Sequence, residues 1–252
     1  MGITSDVRNG IARVVLDVPP VNALDVAGWF ELADTVTRLG REPTTRVLVL
    51  RAEGRGFCAG VDIKELAADA SHTALVGVNR GCAAAFAAVY DCEVPVVAAV
   101  HGFCLGGGIG LVGSADVIVA SEDATFGLPE VDRGALGAAT HLARLVPQHR
   151  MRSMVYLAET ATAEELRGYG SVLQVVARGD LEAAAHEVAT GIAAKSPTII
   201  RRAKESLNGI DPVDVKRSYR FEQGFTFELS LGADADEARQ AFVEKRDADF
   251  GG

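Results

Sequence analysis

The chain is predicted to adopt an α/β fold with a helical C-terminal region. Three observations predict it. Short runs rich in Val, Ile and Leu recur through the first part of the chain, apolar residues at three- and four-residue steps fall between and after them, and from Ala163 onward the pattern is mostly helical. Strands are predicted at residues 11–17, 45–51, 95–100, 117–120 and 171–176, where β-branched residues cluster between turn formers. Leu75, Val78, Cys82, Phe86 and Val89 mark one apolar helix face, and Leu181, Ala184, Ala185, Val188 and Ile192 mark another. Pro197 and Pro212 are placed as helix starts, where a missing N–H has no consequence.

A chain of 252 residues, 48% of them hydrophobic, fits one compact domain and can bury a large core without disulfides or a metal. The four cysteines, Cys58, Cys82, Cys92 and Cys104, have neither zinc nor redox spacing and are expected to be buried reduced thiols. The N-terminus has no basic stretch or apolar run, so no signal peptide and a cytoplasmic location are expected. No uninterrupted apolar segment of membrane-spanning length stands out, and no membrane partner is expected. A formal charge of −9 argues against a broad nucleic-acid surface, while leaving room for an anionic small ligand held by a few cations or helix N-termini.

Three segments stand apart. In Ala52-Glu53-Gly54-Arg55-Gly56-Phe57-Cys58-Ala59-Gly60-Val61-Asp62-Ile63-Lys64-Glu65-Leu66, a buried strand runs into glycines and then a helix. Asp62 is a plausible N-cap, with Glu65 completing a capping box. Small residues at a strand end let a ligand approach the main chain, though an ordinary glycine-rich turn has the same composition. Residues 98–110 repeat the arrangement around Gly106, Gly107 and Gly108. Three glycines are a poor helix start, each giving up roughly 1 kcal/mol against alanine. Either a free N–H aimed at a ligand or close helix–sheet packing accounts for them. The G-x-G-x-x-G at 108–113 is a decoy: seven residues separate Val100 from Gly108, too far for a dinucleotide turn. The third segment, residues 124–134, places Glu130 after Pro129 in an apolar stretch. There its pKa should rise toward that of a neutral-pH general base; the competing role is an ion pair, with Arg133 as partner.

Taken together, Phe57-Cys58-Ala59-Gly60-Val61-Asp62-Ile63-Lys64, the triple-glycine run from Val100 to Gly110, and Phe126-Gly127-Leu128-Pro129-Glu130 resemble the three signatures of the crotonase (enoyl-CoA hydratase/isomerase) superfamily. Val21-Asn22-Ala23-Leu24 and Ala241-Phe242-Val243-Glu244-Lys245-Arg246 fit it too, so nearly the whole chain is covered. The resemblance implies a spiral of ββα units over residues 1–195, continuous with a helical trimerisation region over 196–252, in a homotrimer or homohexamer. It implies coenzyme A as part of the substrate, with no permanently bound cofactor and no metal. It places oxyanion donors at the N–H groups of Cys58 and Gly107 and the catalytic carboxylate at Glu130. Cys58, Ala59, Gly60, Val61, Asp62 and Ile63 would line the coenzyme A path, and Lys245 would reach a phosphate or the adenine, or else join Arg246 in surface ion pairing.

One departure and one closer resemblance narrow the chemistry. Hydratases of this family carry a second glutamate two residues after the triple glycine, where Gly110 stands here, so two-carboxylate hydration is not expected. The runs at 102–113, 125–142 and 222–229 resemble a subgroup that opens a cyclic ketone of a bicyclic steroid-derived CoA thioester. The resemblance therefore implies retro-Claisen C–C hydrolysis, with 3-enoyl-CoA isomerase or enoyl-CoA hydratase as other enzyme readings and a non-catalytic CoA-binding scaffold as a reading of another class.

Overall fold

The structure, a computed structural model, describes residues 2–69 and 71–250. Strands β1 (Gly2–Arg8), β2 (Ile11–Asp17) and β3 (Ala23–Leu24) precede α1 (Val26–Arg41). Then come β4 (Val47–Ala52), β5 (Gly60–Val61), α2 (Ile63–Ala68) and α3 (Thr73–Tyr90). The third unit is β6 (Val96–Val100), β7 (Phe103–Leu105) and α4 (Gly107–Ser114). It is followed by β8 (Val117–Ser121), β9 (Thr125–Gly127), a 3-10 turn at Pro129–Arg133, α5 (Ala139–Leu142) and α6 (Gln148–Tyr156). The rest is β10 (Thr160–Thr162), α7 (Ala163–Tyr169), β11 (Gln174–Val176), α8 (Leu181–Ala193), α9 (Pro197–Gly209), α10 (Val215–Ser230) and α11 (Ala233–Glu244).

The strands divide as a spiral of ββα units requires. The first strand of each unit joins a six-stranded sheet, order β1-β2-β4-β6-β8-β11, parallel except for the antiparallel β1–β2 hairpin. The second strand of each unit joins a smaller sheet, β3-β5 or β10-β9-β7, and the Cys58–Cys104 bridge links these two. Both faces of the large sheet are covered, which is why its strands are near-continuous apolar runs. Leu48 and Leu50 face the main core with Trp29, Phe86 and Phe126; Val47 and Val49 face the opposite way, against Leu181, Ala185 and Ala189 of α8. Helix α1 starts where Asp25 accepts from Gly28 N at 2.7 Å and buries Trp29, Leu32, Val36 and Leu39, one helical stripe. Helix α3 is long and apolar enough to span a bilayer by composition, yet it packs against α1 and α4 as a core helix.

Several expected boundaries shift. The strand expected over 171–176 begins at Gln174, because Ser171 Oγ bonds the carbonyls of Leu145 and Leu166 in a turn. Pro197 does open α9, whereas Pro212 precedes α10, whose N-cap is Asp214. Asp62 caps α2 through Lys64 N at 2.9 Å, but Glu65 reaches Val26 N at 3.0 Å instead of closing a capping box, so it fastens α2 to the start of α1. All four cysteines are free and buried.

Helix α9 is held to the large sheet by a buried charge. Lys204, its side chain 3% exposed, donates to Asp116 Oδ2 at 2.6 Å, and Val96 N donates to the same oxygen at 2.7 Å. Asp116→Ala would strand the ammonium and an amide together. We expect it to lower stability by about 3–5 kcal/mol, measured as a reduced denaturant midpoint at unchanged m-value.

Candidate active site

After β4, residues 58–61 run between two neighbours. On one edge Leu105 N donates to Cys58 O at 2.9 Å; on the other, Ala59 N donates to Val21 O at 3.1 Å and Asp62 N to Leu24 O at 2.9 Å. In a parallel ladder one residue of a facing pair makes both bonds, to the residues flanking its partner. Leu24 is that residue and Val61 its partner, so Val61 turns its own N–H away from β3. Gly60, with φ at +96°, breaks the strand alternation just before it.

The second strand end supplies the matching group. Gly106 adopts φ +56° and donates to Gly127 O at 3.1 Å, and α4 then begins at Gly107. As the first helical residue, Gly107 has no acceptor for its N–H within α4. A methyl group on Gly60 would lie 3.0 Å from Gly107 N, so the two chain segments are in contact at this point. Packing also demands these glycines. A methyl on Gly107 would meet the Trp29 ring at 2.7 Å, and one on Gly108 would meet Cys58 O at 2.7 Å. The packing account of the triple glycine therefore holds, and Gly107 in addition keeps an N–H with no acceptor in its own helix.

The third segment brings the carboxylate. From β9 the chain enters the 3-10 turn, and Glu130 Oε1 would lie 2.5 Å from a methyl on Gly106. Glu130 as a whole is half-buried, but its Oε2 is sealed from solvent and has no hydrogen-bond partner among the described residues. Burial pushes its pKa up to about 8, and Glu222 acts in the same direction; its backbone hydrogen bond and Arg133 oppose the shift. No Glu130–Arg133 ion pair forms among the described residues.

A cavity of about 370 Å³ opens here, and Ala59, Gly60, Val61, Ile63, Gly107 and Glu130 all line it. Cys58 does not. Its N–H is engaged by Phe103 O at 3.3 Å and the residue is fully buried, so the structure does not place the donor expected at position 58 in the cavity, whereas Val61 lines it. Asp62 is occupied as the α2 cap, outside the cavity lining. Lys245 is exposed at the C-cap of α11, also outside it, and the neighbouring Arg246 pairs with Glu237 and Glu244 on the surface. His101 bonds Gly54 O at 3.2 Å and His141 is buried against Phe86 and Tyr219; neither lines the cavity.

The far wall comes from elements to which the sequence reading gave no place in the site. Tyr219 and Thr226 of α10 and Phe242 of α11 line the cavity, with Leu136 and Ala138. Glu222 anchors that wall by accepting from Ala139 N at 2.8 Å and Thr140 N at 3.1 Å, and Gln223 donates to Asn79 O at 2.9 Å. The distinctive run at 222–229 was a visible signal; its purpose needed the tertiary contact. Gly110 is equally informative. The space its side chain would take is filled by the Phe86 ring, which is wedged edge-on against Trp29 and His141 at centroid distances of 5.7 and 4.8 Å. Among the described residues the cavity lining therefore has one carboxylate, and there is no room for a second at position 110.

Residues 6–252 match the family model described as enoyl-CoA hydratase/isomerase. The chain is 66% identical over 245 residues to a Rhodococcus jostii protein named (7aS)-7a-methyl-1,5-dioxo-2,3,5,6,7,7a-hexahydro-1H-indene-carboxyl-CoA hydrolase, covering 97% of this chain and 95% of that one. It is 62% identical over 246 residues to the Mycobacterium tuberculosis protein of the same name, covering 97% and 100%. Among solved structures, carnitinyl-CoA hydratase from Mycobacterium avium superposes with a TM-score of 0.86 at 27% identity, covering 99% and 98% of the two chains. With the ββα spiral and the two facing glycine-flanked strand ends already in place, these matches make the chain a member of the enoyl-CoA hydratase/isomerase, or crotonase, family of enzymes.

Proposed function

We propose that this enzyme hydrolyses a ring C–C bond next to a ketone in a bicyclic indene-carboxyl-CoA thioester. The observation that carries this reading is the Glu130 carboxylate, its Oε2 buried and without a hydrogen-bond partner among the described residues, lining one cavity with Val61 and Gly107, with the second-carboxylate position closed by Phe86. The names borne by relatives at 66% and 62% identity support the substrate class. Glu130 takes a proton from water as the water oxygen attacks the ketone carbon. The ring bond breaks, and its electron pair passes through the conjugated system to the thioester oxygen. The N–H groups of Val61 and Gly107 receive that charge; each such donor contributes roughly 3–4 kcal/mol to the transition state. Glu130 then returns its proton to carbon.

Coenzyme A arrives with the substrate, and Ala59, Gly60, Val61 and Ile63 form the cavity edge along which its pantetheine would lie. Phe221, Phe225 and Leu229 project at four-residue steps from α10 and are exposed, which supports assembly as a trimer or a pair of trimers. Four buried free thiols are in keeping with a cytoplasmic enzyme.

One observation keeps an isomerase reading alive: a lone carboxylate suffices to remove and return a proton. Turnover in heavy-oxygen water separates the two. Ring opening is expected to give a product one water heavier, with the label in its new carboxylate. Turnover of a 3-enoyl-CoA alone, with no label taken up, would replace the hydrolase reading by the isomerase.

A further inference from the structure

The cavity around Glu130 holds a cation that has no hydrogen-bonded or ion-paired partner among the described residues. Arg133 closes the 3-10 turn opened by Pro129 and lines the same cavity. Residues three apart in a 3-10 helix eclipse one another, so Glu130 and Arg133 leave the turn on the same side. The Arg133 guanidinium lies over the Phe242 ring, 4.2 Å from its centroid. Among the described residues it makes no hydrogen bond and no ion pair. Arg239, the other arginine of the lining, is instead occupied by Asp236 and by Ser230 O. Stacking on an aromatic face fixes a guanidinium plane and leaves its edge of N–H donors open. That edge matches a carboxylate in two-point geometry.

Ring opening makes such a group. The neutral ketone carbon acquires the water oxygen, the ring bond leaves with its electron pair, one water proton travels through Glu130 to carbon, and the other is lost to solvent as the new acid ionises. We propose that Arg133 receives the carboxylate that ring opening creates and that this contact makes the cavity selective for CoA thioesters with a second, distal anion. The proposal rests on the ring-opening reading for its biological ligand. Helix α11 takes part by supplying Phe242 as the platform.

The test is binding without turnover. Titration calorimetry compares hexanoyl-CoA with adipoyl-CoA, its analogue ending in a free carboxylate, on the full chain and on Arg133→Met and Arg133→Lys. Wild type is expected to bind adipoyl-CoA about tenfold or more tightly than hexanoyl-CoA. Arg133→Met should bring the two within twofold by weakening adipoyl-CoA alone, and Arg133→Lys should retain part of the preference. No preference in wild type, or a preference that survives in Arg133→Met, overturns the proposal. Equal weakening of both thioesters also overturns it, in favour of a packing role against Phe242. Ring opening of the bicyclic thioester by wild type is scored in a separate arm, so failure there falls on the function reading and leaves the binding result legible.

Discussion

Glu130→Gln is expected to lower kcat for ring opening by about 10³-fold, within the range for loss of a general base, while the Kd for the CoA thioester changes little. The amide keeps the shape of the side chain beside Gly106 but cannot accept a proton from water. A pH profile sharpens the prediction. Glu130 works as a base only when ionised, and burial raises its pKa to about 8. In wild type, kcat/KM should therefore climb about tenfold per pH unit below about 8 and level off above it. The residual activity of Glu130→Gln should lack that limb. Stability must run the other way. Folding favours the protonated form, so this contribution is fully present below the unfolded pKa near 4.5 and is lost as pH rises through about 8. Relative to Glu130→Gln, wild type should lose thermal stability across that window. A flat wild-type rate profile between pH 6 and 8 would remove Glu130 from the role of base.

Replacing the Gly107 amide by an ester, through a backbone α-hydroxy acid, should lower kcat by about 10²–10³-fold. The same replacement at Val61 should act similarly. Neither change alters a side chain, so the packing of Gly107 against Trp29 stays intact. The ester at Cys58 is the internal control. Its N–H serves Phe103 O, so its removal should cost about 1 kcal/mol of stability and leave kcat within a few fold. A Cys58 ester as damaging to kcat as the Gly107 ester, with the Val61 ester harmless, would return the second donor to position 58.

How far the fold could be followed along the chain depended on burial. Strands β2, β4, β6 and β8 are covered on both faces and show as apolar runs of Val, Ile, Leu and Ala. Strand β1 escaped notice because Ser5, Arg8 and their neighbours face solvent at the edge of the sheet. The two- and three-residue strands β3, β5, β7, β9 and β10 are too short to carry any period. They are specified by what lies beside them, yet they aim the site.

From its sequence alone, this chain is a layered α/β protein with a helical end, one candidate base at Glu130 and a glycine where a second acid would stand. Those properties are local: side-chain type and apolar period travel with the segment that bears them. Which way the amides point was decided only by the tertiary structure. The direction of an N–H depends on the partner strand beside it, and Phe103 claims that of Cys58 while β3 turns that of Val61 outward. The same holds for Phe86 filling the place beside Gly110 and for Arg133 left unpaired over Phe242, since both are set by helices distant in sequence.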